Sequence, residues 1–131
     1  MTARPRRPLL PRDVDALLAR MDAWPTSWAG IAKDEGVGRN LTDLLRPFVL
    51  SLVQQQLAPK TIRCHLDNLW LLGGEVIRQL HDTPSRRTKA AKILLLDATA
   101  DGEACWVSGL TEAQQRTVDA TARKLFGFLV S

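Results

Sequence analysis

Apolar residues recur along this chain at steps of three and four, the mark of helices that each bury one face. The longest stripe is Ile62, Leu66, Leu69, Trp70, Gly73, Val76, Ile77 and Leu80, inside the segment LAPKTIRCHLDNLWLLGGEVIRQL from Leu57 to Leu80. Pro59 suits the first position of that helix, where a missing N–H costs nothing and φ is already set. Its end is expected around His81–Asp82. Gly73 and Gly74 sit mid-pattern and each cost on the order of 1 kcal/mol relative to alanine, so another helix is expected to cross closely there.

Upstream, Asp13 to Ala23 reads as a first helix with Val14, Leu17, Leu18 and Met21 on one face. The stretch WPTSWAGIAKDEGVGRN, broken by Pro25, Gly30, Gly36 and Gly38, reads as a connector that Trp24, Trp28 and Ile31 fold back onto the core. A second helical region starts near Asn40, with Leu41, Leu44, Leu45, Phe48, Val49, Leu52 and Val53 as its stripe. Pro47 lies inside it, so the segment 41–57 either kinks there or ends a short turn and restarts at Pro47. Gln54, Gln55 and Gln56 form a polar run before Pro59.

Thr83-Pro84 offers a new start, and a fourth helix is expected from Ser85 to Ala98 with Ile93, Leu94 and Leu96 inward. Asp101-Gly102 is a turn dipeptide, and Cys105, Trp106 and Val107 suit a short extended piece. Thr111 opens the last helix with a capping box, T-E-A-Q, in which Gln114 reaches back to the N-cap amide. Val118, Ala122, Leu125, Phe126 and Leu129 make its stripe. The expected fold class is all-α, a compact bundle of about five helices: residues 1–12 form a basic Pro-rich arm and 13–131 a single helical domain.

Composition changes this picture little, and charge changes it more. The 131 residues are 45% hydrophobic, enough for a core, and no apolar run reaches bilayer length. The N-terminus has no apolar h-region and is not expected to be a signal peptide; with only Cys64 and Cys105, a reducing cytoplasm is the expected compartment. The net charge is +4, and Arg4, Arg6, Arg7 and Arg12 precede the first acidic residue, so they account for the whole excess. From Lys60 to Lys92 seven basic residues face only Asp67, Glu75 and Asp82, and Arg86, Arg87, Lys89 and Lys92 have no acid between them. Basic arms and patches favour nucleic acid or acidic partners. Solubility alone is the bland alternative.

Catalytic constellations are sparse. There is no Gly-rich phosphate loop, no H-E-x-x-H and no paired C-x-x-C. Cys64 and His65 are neighbours and point about 100° apart on a helix, while His81 lies roughly 24 Å from His65 along it. No cofactor, metal site or catalytic residue is expected. Tyrosine is absent from the chain.

The succession FVLSLVQQQLAPKTIRCHLDNLWLLGGEV resembles the N-terminal core-binding domain of tyrosine recombinases (phage integrases). The matching features are the polar linker, then Ala58, Pro59, Lys60, Thr61, Ile62 and Arg63, then Leu69 and Trp70 on an aromatic-bearing helix. The closing TVDATARKLFGFL also resembles that domain's last helix, and the likeness covers about Asn40 to Leu129. The resemblance implies four helices that clamp one face of duplex DNA mainly through phosphates, with Lys60, Thr61 and Arg63 at the DNA-facing helix start. Strand cleavage in that family belongs to a separate C-terminal domain, which would begin where this chain ends. The expectation is a non-enzymatic, cytoplasmic DNA-binding protein of bacterial recombination or mobile-element biology, with double-stranded DNA as partner and no membrane. The candidate DNA contacts are Lys60, Thr61, Arg63, Arg86, Arg87, Lys89 and Lys92, with Arg4, Arg6 and Arg7 of the arm. A helical protein-interaction module or small regulator, using an apolar surface around Trp24, Trp28 or Trp106, remains the alternative.

Overall fold

The computed structural model describes residues 9–100 and 104–131, so Arg4, Arg6 and Arg7 of the arm and the Asp101-Gly102 turn lie outside it. The order is α1 (Pro11–Met21), α2 (Trp24–Trp28), α3 (Ala32–Gln54), α4 (Pro59–Asp82), a 3-10 turn (Pro84–Thr88), α5 (Ala91–Ala98) and α6 (Glu112–Val130). Five of these helices run eight residues or more, and there is no strand among the described residues.

Helix α4 is the axis of the bundle: α2, α3, α5, α6 and the 3-10 turn all touch it. Its bounds follow from its chemistry, with Pro59 at the first helical position and a stripe of Ile62, Leu66, Leu69, Leu72, Val76, Ile77 and Leu80 that is fully buried. Facing it, α3 contributes Leu41, Leu45, Phe48, Val49 and Leu52, and α6 contributes Val118, Ala122, Leu125 and Leu129. The Phe48 and Phe128 rings meet at 5.5 Å between centroids. Each buried Val, Leu, Ile or Phe side chain among these stabilises the fold by about 1.5–3 kcal/mol. That burial on both sides of Pro47 outweighs the missing hydrogen bond, and α3 runs through the proline as one helix with the ring on the solvent side. The helix closes on Gln56, which holds a left-handed φ of 57°.

Several boundaries differ from the periodicity reading. Helix α1 opens at Pro11, inside the expected arm, and Asp13 accepts the Leu10 N–H at 3.0 Å. The expected connector is mostly helix: Trp24–Trp28 is α2, and α3 begins at Ala32, eight residues before Asn40. Gly36 and Gly38 are therefore helical. Gly38 is small because α2 crosses it, with Pro25 Cα 2.9 Å from where a Cβ would stand. Trp24 and Trp28 are buried as expected, whereas Ile31 is exposed.

The element that approaches Gly73 and Gly74 is the short helix α2, whose last residue, Trp28, sets its indole against both. Trp28 donates its indole N–H to the Trp70 carbonyl at 2.9 Å, and Trp70 returns one to the Ser27 hydroxyl at 2.9 Å. The expected helix from Ser85 to Ala98 is divided, because Pro84–Thr88 winds as 3-10 and α5 starts only at Ala91. On α5, Leu94 and Leu95 face inward and Ile93 faces solvent, one position away from the expected phase. Thr111 and Gln114 form the capping box, with Gln114 N–H to Thr111 at 3.1 Å and Thr111 N–H to Gln114 at 2.9 Å. No helix among the described residues is long and apolar enough to cross a membrane.

Candidate nucleic-acid interface

The burial of Ile62, Leu66 and Leu69 turns Lys60, Thr61 and Arg63 outward on the first turn of α4, where all three are exposed. No side chain caps this helix start, so its leading N–H groups point outward beside three polar side chains. Lys60 and Arg63 form no ion pair among the described residues.

Two other helices bring charge to the same end. A groove of about 400 Å³ runs between α1 and the start of α4, lined by Arg12, Ala16, Leu17, Arg20, Pro59 and Arg63. Arg20 also reaches Asp67 at 3.2 Å, an exposed pair. From α6, Lys124 approaches α4 because the two helices pack antiparallel: His65 lies against Thr121 at 2.7 Å and Asn68 donates to the Thr117 carbonyl at 3.1 Å. Burial, and then the Lys124 charge, lower the His65 pKa below its ordinary 6.5, which favours the neutral ring. Arg12 shares the groove with Arg63, Lys124 lies near His65, and neither placement was visible from α4 alone.

The second expected cluster is built differently. Arg86 pairs with Asp97 at 2.9 Å and lies beside Gln79 and Asp82, while Arg87 reaches Asp34 at 2.8 Å. Both sit on the 3-10 turn that follows the end of α4, roughly 30 Å from Lys60 by the helical rise, with their charge already matched. Lys89 is exposed, and Lys92 is exposed beside Pro47 and Phe128.

Asp34 explains why Arg87 is held. Its carboxylate is 0% exposed and accepts the Gly30 N–H at 2.8 Å, the Ile31 N–H at 3.0 Å and His81 Nε2 at 2.9 Å, with Arg87 against the other oxygen. Burial alone would raise its pKa. The contacts from His81, Ile31, Arg87 and Gly30 together outweigh burial and hold the carboxyl well below the usual carboxylate range. One side chain thus ties the start of α3 to the end of α4 and to the 3-10 turn. It is a structural knot.

The remaining chemistry is quiet. Burial, and then the charge of Glu75, push the Cys105 thiol up to about 11, far from a reactive thiolate. Among the described residues, no three His, Cys, Asp or Glu side chains converge as a metal site. With Trp24 and Trp28 buried in contact with each other, Trp106 is the tryptophan offered most openly, 67% exposed beside Glu112, Gln115 and Arg116. A scan against protein-family models, a search of curated proteins and a search of solved structures each found no match.

Proposed function

We propose that this chain binds nucleic acid, without chemistry of its own, through the end of the bundle where α1, the first turn of α4 and the later turns of α6 meet. The observation that carries this reading is the sorting of charge. Arg12, Lys60, Arg63 and Lys124 have no ion-pair partner among the described residues, whereas of the second cluster Arg86 and Arg87 are matched by Asp97 and Asp34 and Lys89 and Lys92 are unpaired. Unmatched cations beside an uncapped helix start are the means by which proteins hold phosphates. The finer reading, a stand-alone recombinase-type core-binding domain on duplex DNA, is the form of this proposal that the LAPKTIR segment favours.

The test is fluorescence anisotropy with a mixed-sequence duplex of about 30 base pairs, titrated at several salt concentrations. Four phosphate contacts give a log–log salt slope of about −3.6, close to a hundredfold loss between 50 and 200 mM salt. Lys60→Ala with Arg63→Ala should halve that slope without lowering the melting temperature, and Arg86→Ala should leave the slope unchanged. Absence of binding at low salt sinks the proposal. In that case the exposed Trp106 favours the second reading, a protein-interaction module, and Trp106→Ala becomes the informative variant.

A further inference from the structure

Three arginines, Arg12, Arg20 and Arg63, line one recess whose other walls include Ala16, Leu17 and Pro59. We infer that this groove seats a chain end: the 5′-terminal phosphate of a nucleic-acid strand between the arginines, with the first nucleoside on the apolar wall. This rests on the nucleic-acid reading above and specifies which part of the ligand the site takes.

The argument is one of charge and shape. A terminal phosphomonoester carries close to two negative charges near neutral pH and offers three acceptor oxygens, against one charge and two free oxygens for an internal diester. Planar guanidinium forks bind such oxygens in pairs, so several arginines at one recess match the monoester better. An internal phosphate of a duplex is followed by backbone on both sides and is served by a convex surface. A recess of about 400 Å³ is the size of a small-molecule site and admits a group tethered from one side.

The local chemistry permits it. Arg20 is shared with Asp67 at 3.2 Å, but that pair is exposed and is exchanged at small cost. Asp13 is the one carboxylate on the groove, and it is engaged by the Leu10 N–H at 3.0 Å. Arg12 and Arg63 form no ion pair among the described residues, with Asp13 on the groove.

The test compares 3′-labelled single-stranded oligonucleotides that differ only in carrying a 5′-phosphate or a 5′-hydroxyl, by anisotropy on the full chain. The phosphorylated strand should bind about tenfold more tightly, the worth of one or two charge-assisted hydrogen bonds. Arg63→Ala should remove that ratio. Ala16→Trp, which fills the groove from an exposed position without altering charge, should remove the ratio. A nucleoside 5′-monophosphate should compete better than inorganic phosphate. A ratio near one, or a ratio that survives Ala16→Trp, overturns the inference while salt-dependent duplex binding still stands. Competition by inorganic phosphate as strong as by the monophosphate overturns the nucleoside part. If neither strand nor duplex binds at low salt, the nucleic-acid reading itself has failed.

Discussion

Adding one methyl group at Gly73 tests the way α2 is locked to α4. A Cβ at that position would overlap Cζ2 of the Trp28 indole and stand 2.6 Å from Cη2 and 3.0 Å from Cε2. The ring has nowhere to retreat. Its N–H is committed to the Trp70 carbonyl at 2.9 Å, and its neighbour Trp24 stands 5.6 Å away between centroids. Alanine returns about 1 kcal/mol of helix propensity. Against this stand about 1–3 kcal/mol of overpacking and about 1–3 kcal/mol if the displaced indole loses its acceptor. The net expectation for Gly73→Ala is destabilisation of about 2 kcal/mol, a fall in melting temperature of roughly 8 °C for a chain of this size. Gly36→Ala is the matched control, because nothing lies within 4 Å of its added Cβ and the propensity gain should appear alone. Thermal and urea unfolding followed by far-UV circular dichroism measures both. In a double-mutant cycle, Gly73→Ala placed on Trp28→Ala should change sign and stabilise. If Gly73→Ala unfolds at or above the wild-type temperature, the close approach of ring and helix is wrong.

Three more outcomes follow from the same geometry. Asp34→Ala removes a buried carboxylate and strands Arg87, His81 and two backbone N–H groups, so a loss of about 3–5 kcal/mol is expected in urea titration. Gln56→Gly relieves the left-handed φ of 57° and should stabilise by about 1 kcal/mol; a lower urea midpoint would show that the side chain matters more than the backbone there. His65 has its folded pKa lowered, so below its ordinary 6.5 the unfolded chain binds a proton that the folded chain resists. Its contribution is complete above that value and declines as pH falls toward the native value, a step in melting temperature against pH that His65→Gln should remove.

Helix α4 was legible because, Gly73 and Gly74 aside, its signals agree: a proline at the first turn, a long apolar stripe, and polar residues where α3 stops. Thr111 and Gln114 were legible for the same reason, since a capping box is local. The start of α3 was hidden, because Gly36 and Gly38 look like breakers until Pro25 is seen lying against Gly38. The site divides along the same line. Exposure of Lys60 and Arg63 follows from the phase of a single helix. Neutralisation of Arg87 depends on Asp34, far away in sequence, and the approach of Arg12 and Lys124 depends on how three helices meet.

The attachment of α1 sets the order in which the molecule comes apart. Apart from Leu17 and Met21, which are buried, and Leu18, which packs half-buried against the core, α1 is held by polar links: Arg46 donates to the Leu18 carbonyl at 3.1 Å and pairs with Asp22 just after the helix, and Arg20 reaches Asp67. Such a helix detaches as a unit at a free energy below that of global unfolding, whereas α4, enclosed by its neighbours, opens only with the whole. Amide hydrogens of α1 should therefore exchange with deuterium earlier than those of α4. Anything that bridges Arg12 on α1 and Arg63 on α4 must slow exchange in α1 while leaving the central helix unchanged, so this weakly held helix doubles as a gauge of whether the groove beside it is filled.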